Sequence, residues 1–154
     1  TTLQFVPAKD QKDAIVFEPT DKHCFSYLGR VGGHQPVYLS PDCSEPEITH
    51  ELMHVLGYVH EQSRPERDKY VKINWDRIED DRADQFDFVP DALVAPIRER
   101  PFDYRSVMLY RPTAFAKTPG EATMESVTDQ PIDPVQTGLS DEDIKRIQLM
   151  YPGR

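Results

Sequence analysis

Cysteine and glycine are scarce in this chain, and both shortages are informative. Of 154 residues only Cys24 and Cys43 are cysteines, and they lack the C-x-x-C spacing of a dithiol redox centre or a zinc-thiolate site. Their simplest use is one structural bridge, which would stabilise the fold by roughly 3 kcal/mol and imply an oxidising compartment; two buried reduced thiols are the alternative. Glycines number 7 against 14 prolines, so long stretches are expected outside regular helix and sheet. Basic residues are few as well, 18 Lys and Arg against 27 Asp and Glu for a formal net charge of −9. That balance argues against a nucleic-acid partner and against an anionic membrane, since both are held by clustered positive charge. No apolar run approaches the roughly eighteen residues a bilayer span needs. The opening "TTLQFVPAKD" has neither the basic nor the apolar part of a signal peptide, and no initiator Met, so a mature or trimmed form is expected.

What is present suits one folded domain. The hydrophobic fraction of 38% with 10% aromatics excludes a disordered chain. "LQFVPA", "AIVFEP", "CFSYLG" and "QPVYLS" read as short strands of a small sheet, separated by charged or Gly-containing turns. From Ser44 the period changes: Ile48, Leu52, Val55, Leu56 and Val59 fall at helical spacing, Ser44 and Glu47 form a capping box, and Gly57 is a natural stop. "NWDRIEDDRADQF" predicts a short acidic helix opened by Asn74. The proline-punctuated stretch 88–134 reads as mostly loop. "SDEDIKRIQLMY" predicts a closing helix with Ser140 as N-cap, Asp143 at the capping-box position, and Ile144, Ile147, Leu149 and Met150 largely facing inward.

Three of the five histidines lie in one stretch, "THELMHVLGYVHE". His50 and His54, four apart on a helix, project from one face a turn apart and can share one ion. Zinc suits neutral imidazole nitrogen in tetrahedral geometry. Glu51 is rotated by about 100° from His50, beside the ion and not on it, the position of a general base. Gly57 can take positive φ and turn the backbone, which returns His60 as a third ligand and leaves one position open. The H-E-x-x-H pentad alone is a moderate signal, and the extended His-Glu-x-x-His-x-x-Gly-x-x-His form a strong one. His23 and His34, isolated from this stretch, read as ordinary polar residues.

The extended motif, followed by Glu61 and then "QSRPERDKYVKINWDRI", resembles the astacin family of zinc endopeptidases in the metzincin clan. "CFSYLGRVGGHQPVYLSPDC" resembles the family segment before the active-site helix, which implies that Cys24 pairs with Cys43. "DYRSVMLYRPTAF" resembles the family's Met-turn, which implies that Met108 floors the metal site and that Tyr110 can bind zinc through its phenolic oxygen and assist catalysis. The chain departs from the family at Leu109, where histidine is usual, and at Gln62 and Glu66. It also lacks the cysteines of the family's second bridge, and lower stability with intact chemistry is the expectation. Family members bury a new N-terminus against the glutamate after the third histidine, here Glu61. The family's opening helix and strand are missing from the sequence.

The resemblance implies an α+β, metzincin-like fold, with a small twisted mixed sheet and active-site helix in the N-terminal half and an irregular C-terminal half with a Met-turn and a closing helix. Residues 1–154 form one catalytic domain on this reading, with subdomains 1–57 and 58–154 flanking a cleft. The implied reaction is hydrolysis of peptide bonds in extended protein or peptide substrates. His50, His54, His60 and Tyr110 would be metal ligands for one Zn2+, with Glu51 and Tyr110 as catalytic groups. "QPVYLS" would be the edge strand that pairs with substrate. A secreted monomer with no nucleic-acid or membrane partner is expected. The competing readings are a catalytically silent zinc-dependent binding module and, more weakly, zinc hydrolysis of a non-peptide bond.

Overall fold

A computed structural model describes residues 3–152. They divide into two compact units, one running to Tyr58 and resuming at Gln136, the other Val59–Val135. Thr1, whose reach to Glu61 the resemblance leaves open, lies outside the described residues.

The first unit is built on a three-stranded sheet, β1 (Ala14–Pro19), β2 (Phe25–Ser26) and β3 (His34–Leu39), in the order β1-β3-β2. β1 runs parallel and β2 antiparallel to β3, so the sheet is mixed, as the resemblance implied. The expectation that "QPVYLS" forms the edge is overturned: β3 is central and paired on both sides. β2 pairs only with Val37 and Tyr38, so Pro36, which has no N–H to give, is not required to bond in that direction. "LQFVPA" forms no strand; Phe5 and Val6 are 71% and 73% exposed, without the partner a strand requires. "CFSYLG" contributes only the two residues of β2.

Helix α1 (Glu45–Val55) follows from its local chemistry. The Glu47 carboxylate accepts from the backbone N–H of Ser44 at 2.7 Å, closing the capping box, and a proline in the first turn has no donor to waste. Cys24 and Cys43 are bonded, tying the start of β2 to the turn before α1. A short helix, α2 (Asp91–Val94), lies in the second unit and interrupts the stretch read as loop. Helix α3 (Asp141–Met150) begins at Ser140, whose hydroxyl accepts from the Asp143 N–H at 2.9 Å. Its inward face agrees with the expected one at Ile147 and departs from it at Leu149. Asp143, Arg146 and Ile147 are buried while Leu149 is 55% exposed, because a period of about 3.6 turns position 149 away from 143, 146 and 147. The Tyr151 hydroxyl donates to the carbonyl of Leu56 at 2.8 Å, fastening the end of α3 to the end of α1.

The second unit holds a core of Val71, Ile73, Ile78, Phe86, Phe102, Tyr104, Leu109 and Met124. Leu109, the departure from the family, is one of these core residues and only 3% exposed. A two-stranded ribbon, β4 (Val71–Ile73) with β5 (Met124–Ser126), supplies part of that core. The expected acidic helix after Asn74 does not form. Two 3-10 turns, Trp75–Arg77 and Ala83–Phe86, replace it, and between them Ile78 is buried in a bridge to Ala116 while Glu79, Asp80 and Asp81 stay in water. Like charges four apart, Asp76 with Asp80 and Asp80 with Asp84, would repel one another on a continuous helix there.

Candidate active site

Helix α1 carries His50, Glu51 and His54, and its most buried side chains are Glu51 and Met53. Immediately after it the backbone turns through Gly57 at φ +95°, a conformation L side chains rarely adopt. The His54 carbonyl accepts from the N–H groups of Gly57 at 2.8 Å and Gly29 at 2.7 Å, which pins the turn. Tyr58 is thereby placed with its carbonyl 2.8 Å from Nδ1 of His54. With the Nδ1 hydrogen donated to that oxygen, Nε2 presents its lone pair, the tautomer a metal requires.

Among the described residues, His50, His54 and His60 each offer one ligand atom, and these atoms lie within 4.8 Å of one another. All three rings are partly buried. Burial, reinforced by the neighbouring His50, pushes the pKa of His54 down to about 4, so its imidazole is neutral at any pH near 7. Three imidazole nitrogens in one cluster are the donor set that suits zinc, and the residues present fit such an ion.

Glu51 is 7% exposed, and burial raises its pKa above the ordinary carboxylate value. The hydroxyl of Ser26, on β2, lies 2.9 Å from one carboxylate oxygen of Glu51 and 2.9 Å from its backbone carbonyl. Sequence reading missed Ser26, since nothing in a separation of 25 residues signals the contact.

The residues after His60 are buried in succession. The Glu61 carboxylate faces Arg64 at 3.3 Å and accepts from the Asp103 N–H at 2.9 Å. Arg64, 1% exposed, also donates to Glu66 and to the carbonyl of Arg100. Met108 is 1% exposed, and its carbonyl accepts from the Glu61 N–H at 3.0 Å, holding the residue next to His60. The ring of Tyr110 lies 4.5 Å from that of His60, and its hydroxyl is 3.4 Å from Oε1 of Gln85. Gln62 accepts from the Tyr110 N–H at 3.2 Å. His23 and His34 are exposed and outside the cluster.

A sequence profile of the Astacin peptidase family matches residues 1–152. The chain belongs to the astacin family. It is 41% identical to zinc metalloproteinase nas-13 of Caenorhabditis elegans over 98% of this chain and 33% of that protein. It is 38% identical to the astacin-like metalloendopeptidase of Gallus gallus over 98% of this chain and 37% of that one. The chain therefore spans about a third of the length of these relatives. Among solved structures it is similar to high choriolytic enzyme 1, a hatching enzyme zinc-protease from Oryzias latipes, with a TM-score of 0.86 and 34% identity over 98% of this chain and 74% of that one. The likeness to myroilysin, TM-score 0.56 at 21% identity over 97% of this chain and 77% of that one, concerns the fold alone. The astacin fold is the α+β, metzincin-like architecture the resemblance implied.

Proposed function

We propose that this chain is the catalytic domain of a zinc-dependent endopeptidase that hydrolyses peptide bonds in extended protein substrates. The observation that carries this reading is the clustering of the His50, His54 and His60 ligand atoms with a buried carboxylate, Glu51, on the helix that bears two of them. Membership of the astacin family, with relatives named as zinc metalloproteinases, supports the metal and the reaction class.

His50, His54 and His60 would hold the ion through one nitrogen each. Bound there, zinc would supply a Lewis acid that brings the pKa of water to about 7. Glu51 accepts the proton of the attacking water and delivers it to the departing amine, and its raised proton affinity suits a group that must hold that proton between the two events. Tyr110 donates its hydroxyl hydrogen to the developing oxyanion, for which it leaves Gln85; losing such a donor costs on the order of 3 kcal/mol in the transition state. The same phenolic oxygen would be a further ligand to the ion. Substrate pairs with the free edge of β2, where backbone hydrogen bonds hold any extended peptide. The Cys24–Cys43 bridge supports a secreted, oxidising setting, and we take the domain to act as a monomer.

Casein hydrolysis by the wild type and by Glu51→Ala, each with and without 1,10-phenanthroline, tests the reading. Turnover that disappears in both controls supports the endopeptidase. No turnover by zinc-loaded wild type would make the chain a zinc-dependent binding module instead.

A further inference from the structure

We propose that Ser26 is a positioning residue for Glu51, fixing which carboxylate oxygen takes the proton. The proposal rests on the hydrolytic reading above for its kinetic consequence. Ser26 pairs with Val37 across the sheet, and opposed residues of an antiparallel pair project to the same face. Val37 is fully buried, so the Ser26 side chain points to the covered face and not to solvent.

There its hydroxyl lies 2.9 Å from both the carbonyl oxygen and Oε2 of Glu51. A hydroxyl has one hydrogen to give, and an ionised carboxylate outcompetes a neutral carbonyl for it. Ser26 therefore donates to Oε2 while resting against the backbone of the same residue. Glutamate has three side-chain torsions, and a partner that touches both its carboxylate and its main chain restricts all of them together. Oε1 has no hydrogen-bond partner among the described residues, which leaves it as the oxygen that receives the proton. With Glu51 only 7% exposed, bulk water cannot substitute for the lost donor. Ser26 also stands on β2, an outer strand of the sheet, so the group that holds the base belongs to the element proposed to bind substrate.

The test compares wild type, Ser26→Ala and Ser26→Thr for kcat and KM on a casein-derived peptide, zinc content and melting temperature, with crystal structures of the zinc-loaded wild type and Ser26→Ala. Loss of orientation predicts that kcat of Ser26→Ala falls about 10-fold to 100-fold. KM should stay within about twofold, with one zinc per chain and a melting temperature within about 5 °C of wild type. Ser26→Thr, which keeps the hydroxyl, should recover most of kcat, and the Glu51 carboxylate should be rotated away from its wild-type position in Ser26→Ala. The proposal is overturned by a Ser26→Ala kcat within twofold of wild type, by a fall in kcat that accompanies lost zinc or unfolding, or by a Ser26→Thr as slow as Ser26→Ala. If zinc-loaded wild type turns over nothing, the hydrolytic reading fails, and the crystal structures still decide: an unmoved Glu51 in Ser26→Ala overturns the positioning role.

Discussion

The imidazole Nδ1 of His54 and the carbonyl oxygen of Tyr58 are 2.8 Å apart, and the glycine between them makes that contact possible. Gly57 at φ +95° turns the chain so that the residue after it faces back toward the helix it has just left. One backbone conformation thus serves two purposes, orienting a ligand ring and redirecting the chain toward His60.

Gly57→Ala should therefore weaken stability and metal binding together. A Cβ at Gly57 meets ordinary contacts, Met150 Cε at 3.9 Å and Gly29 Cα at 4.0 Å, so the cost is backbone strain and not collision. Urea unfolding is expected to show a loss of about 1–2 kcal/mol. Zinc titration against a competing chelator should show affinity lowered by about 10-fold to 100-fold, the usual cost of disturbing a group that orients a ligand. An unchanged affinity would separate the turn from the site.

The depressed pKa of His54 gives the metal-free protein a defined acid sensitivity. In the unfolded chain the ring titrates near 6.5 and in the folded protein near 4, so between these values the unfolded state binds more protons. Stability is then full above pH 6.5, declines as pH falls toward 4, and loses nothing further to this group below that. The decline attributable to His54 is on the order of 3 kcal/mol. Urea unfolding of chelator-treated wild type and His54→Gln across this range checks it: the slope with pH should be shallower in the variant.

Arg64 supports a different part of the site. It is 1% exposed and faces the Glu61 carboxylate, which is itself 1% exposed. Arg64→Met would leave a buried carboxylate without its cation, and a loss of about 3–5 kcal/mol is expected in chemical denaturation. The double change Arg64→Met with Glu61→Gln should recover part of that loss, because the stranded charge is gone.

Reduction of the Cys24–Cys43 bridge should cost roughly 3 kcal/mol in the chain-entropy account, since it releases a loop closed over a sequence separation of 19. Melting with and without a thiol reductant measures it. The bridge flanks β2 and α1, so reduction is also expected to loosen the Ser26 contact to Glu51 before the histidine cluster.

What is legible in the sequence depends on the range of the interaction. The α1 cap at Ser44, the positive φ at Gly57 and the convergence of three histidines within eleven residues are local, and periodicity and residue type carry them. The edge strand is not legible, because strand order is set by pairing over tens of residues: β3, expected at the edge, lies between β1 and β2. The β4–β5 ribbon joins residues some fifty positions apart, and only the alternation of buried Val71 and Ile73 around exposed Lys72 hints at it. Ser26 and Gln85 leave no local trace, because each acts on a residue far along the chain.

That His50, His54 and His60 share one zinc ion is tested most directly by anomalous diffraction at the zinc edge on crystals of the zinc-loaded protein. A single peak at full occupancy is expected, about 2.0–2.1 Å from one ring nitrogen of each histidine. A zinc peak elsewhere, or none with those rings turned apart, would contradict it.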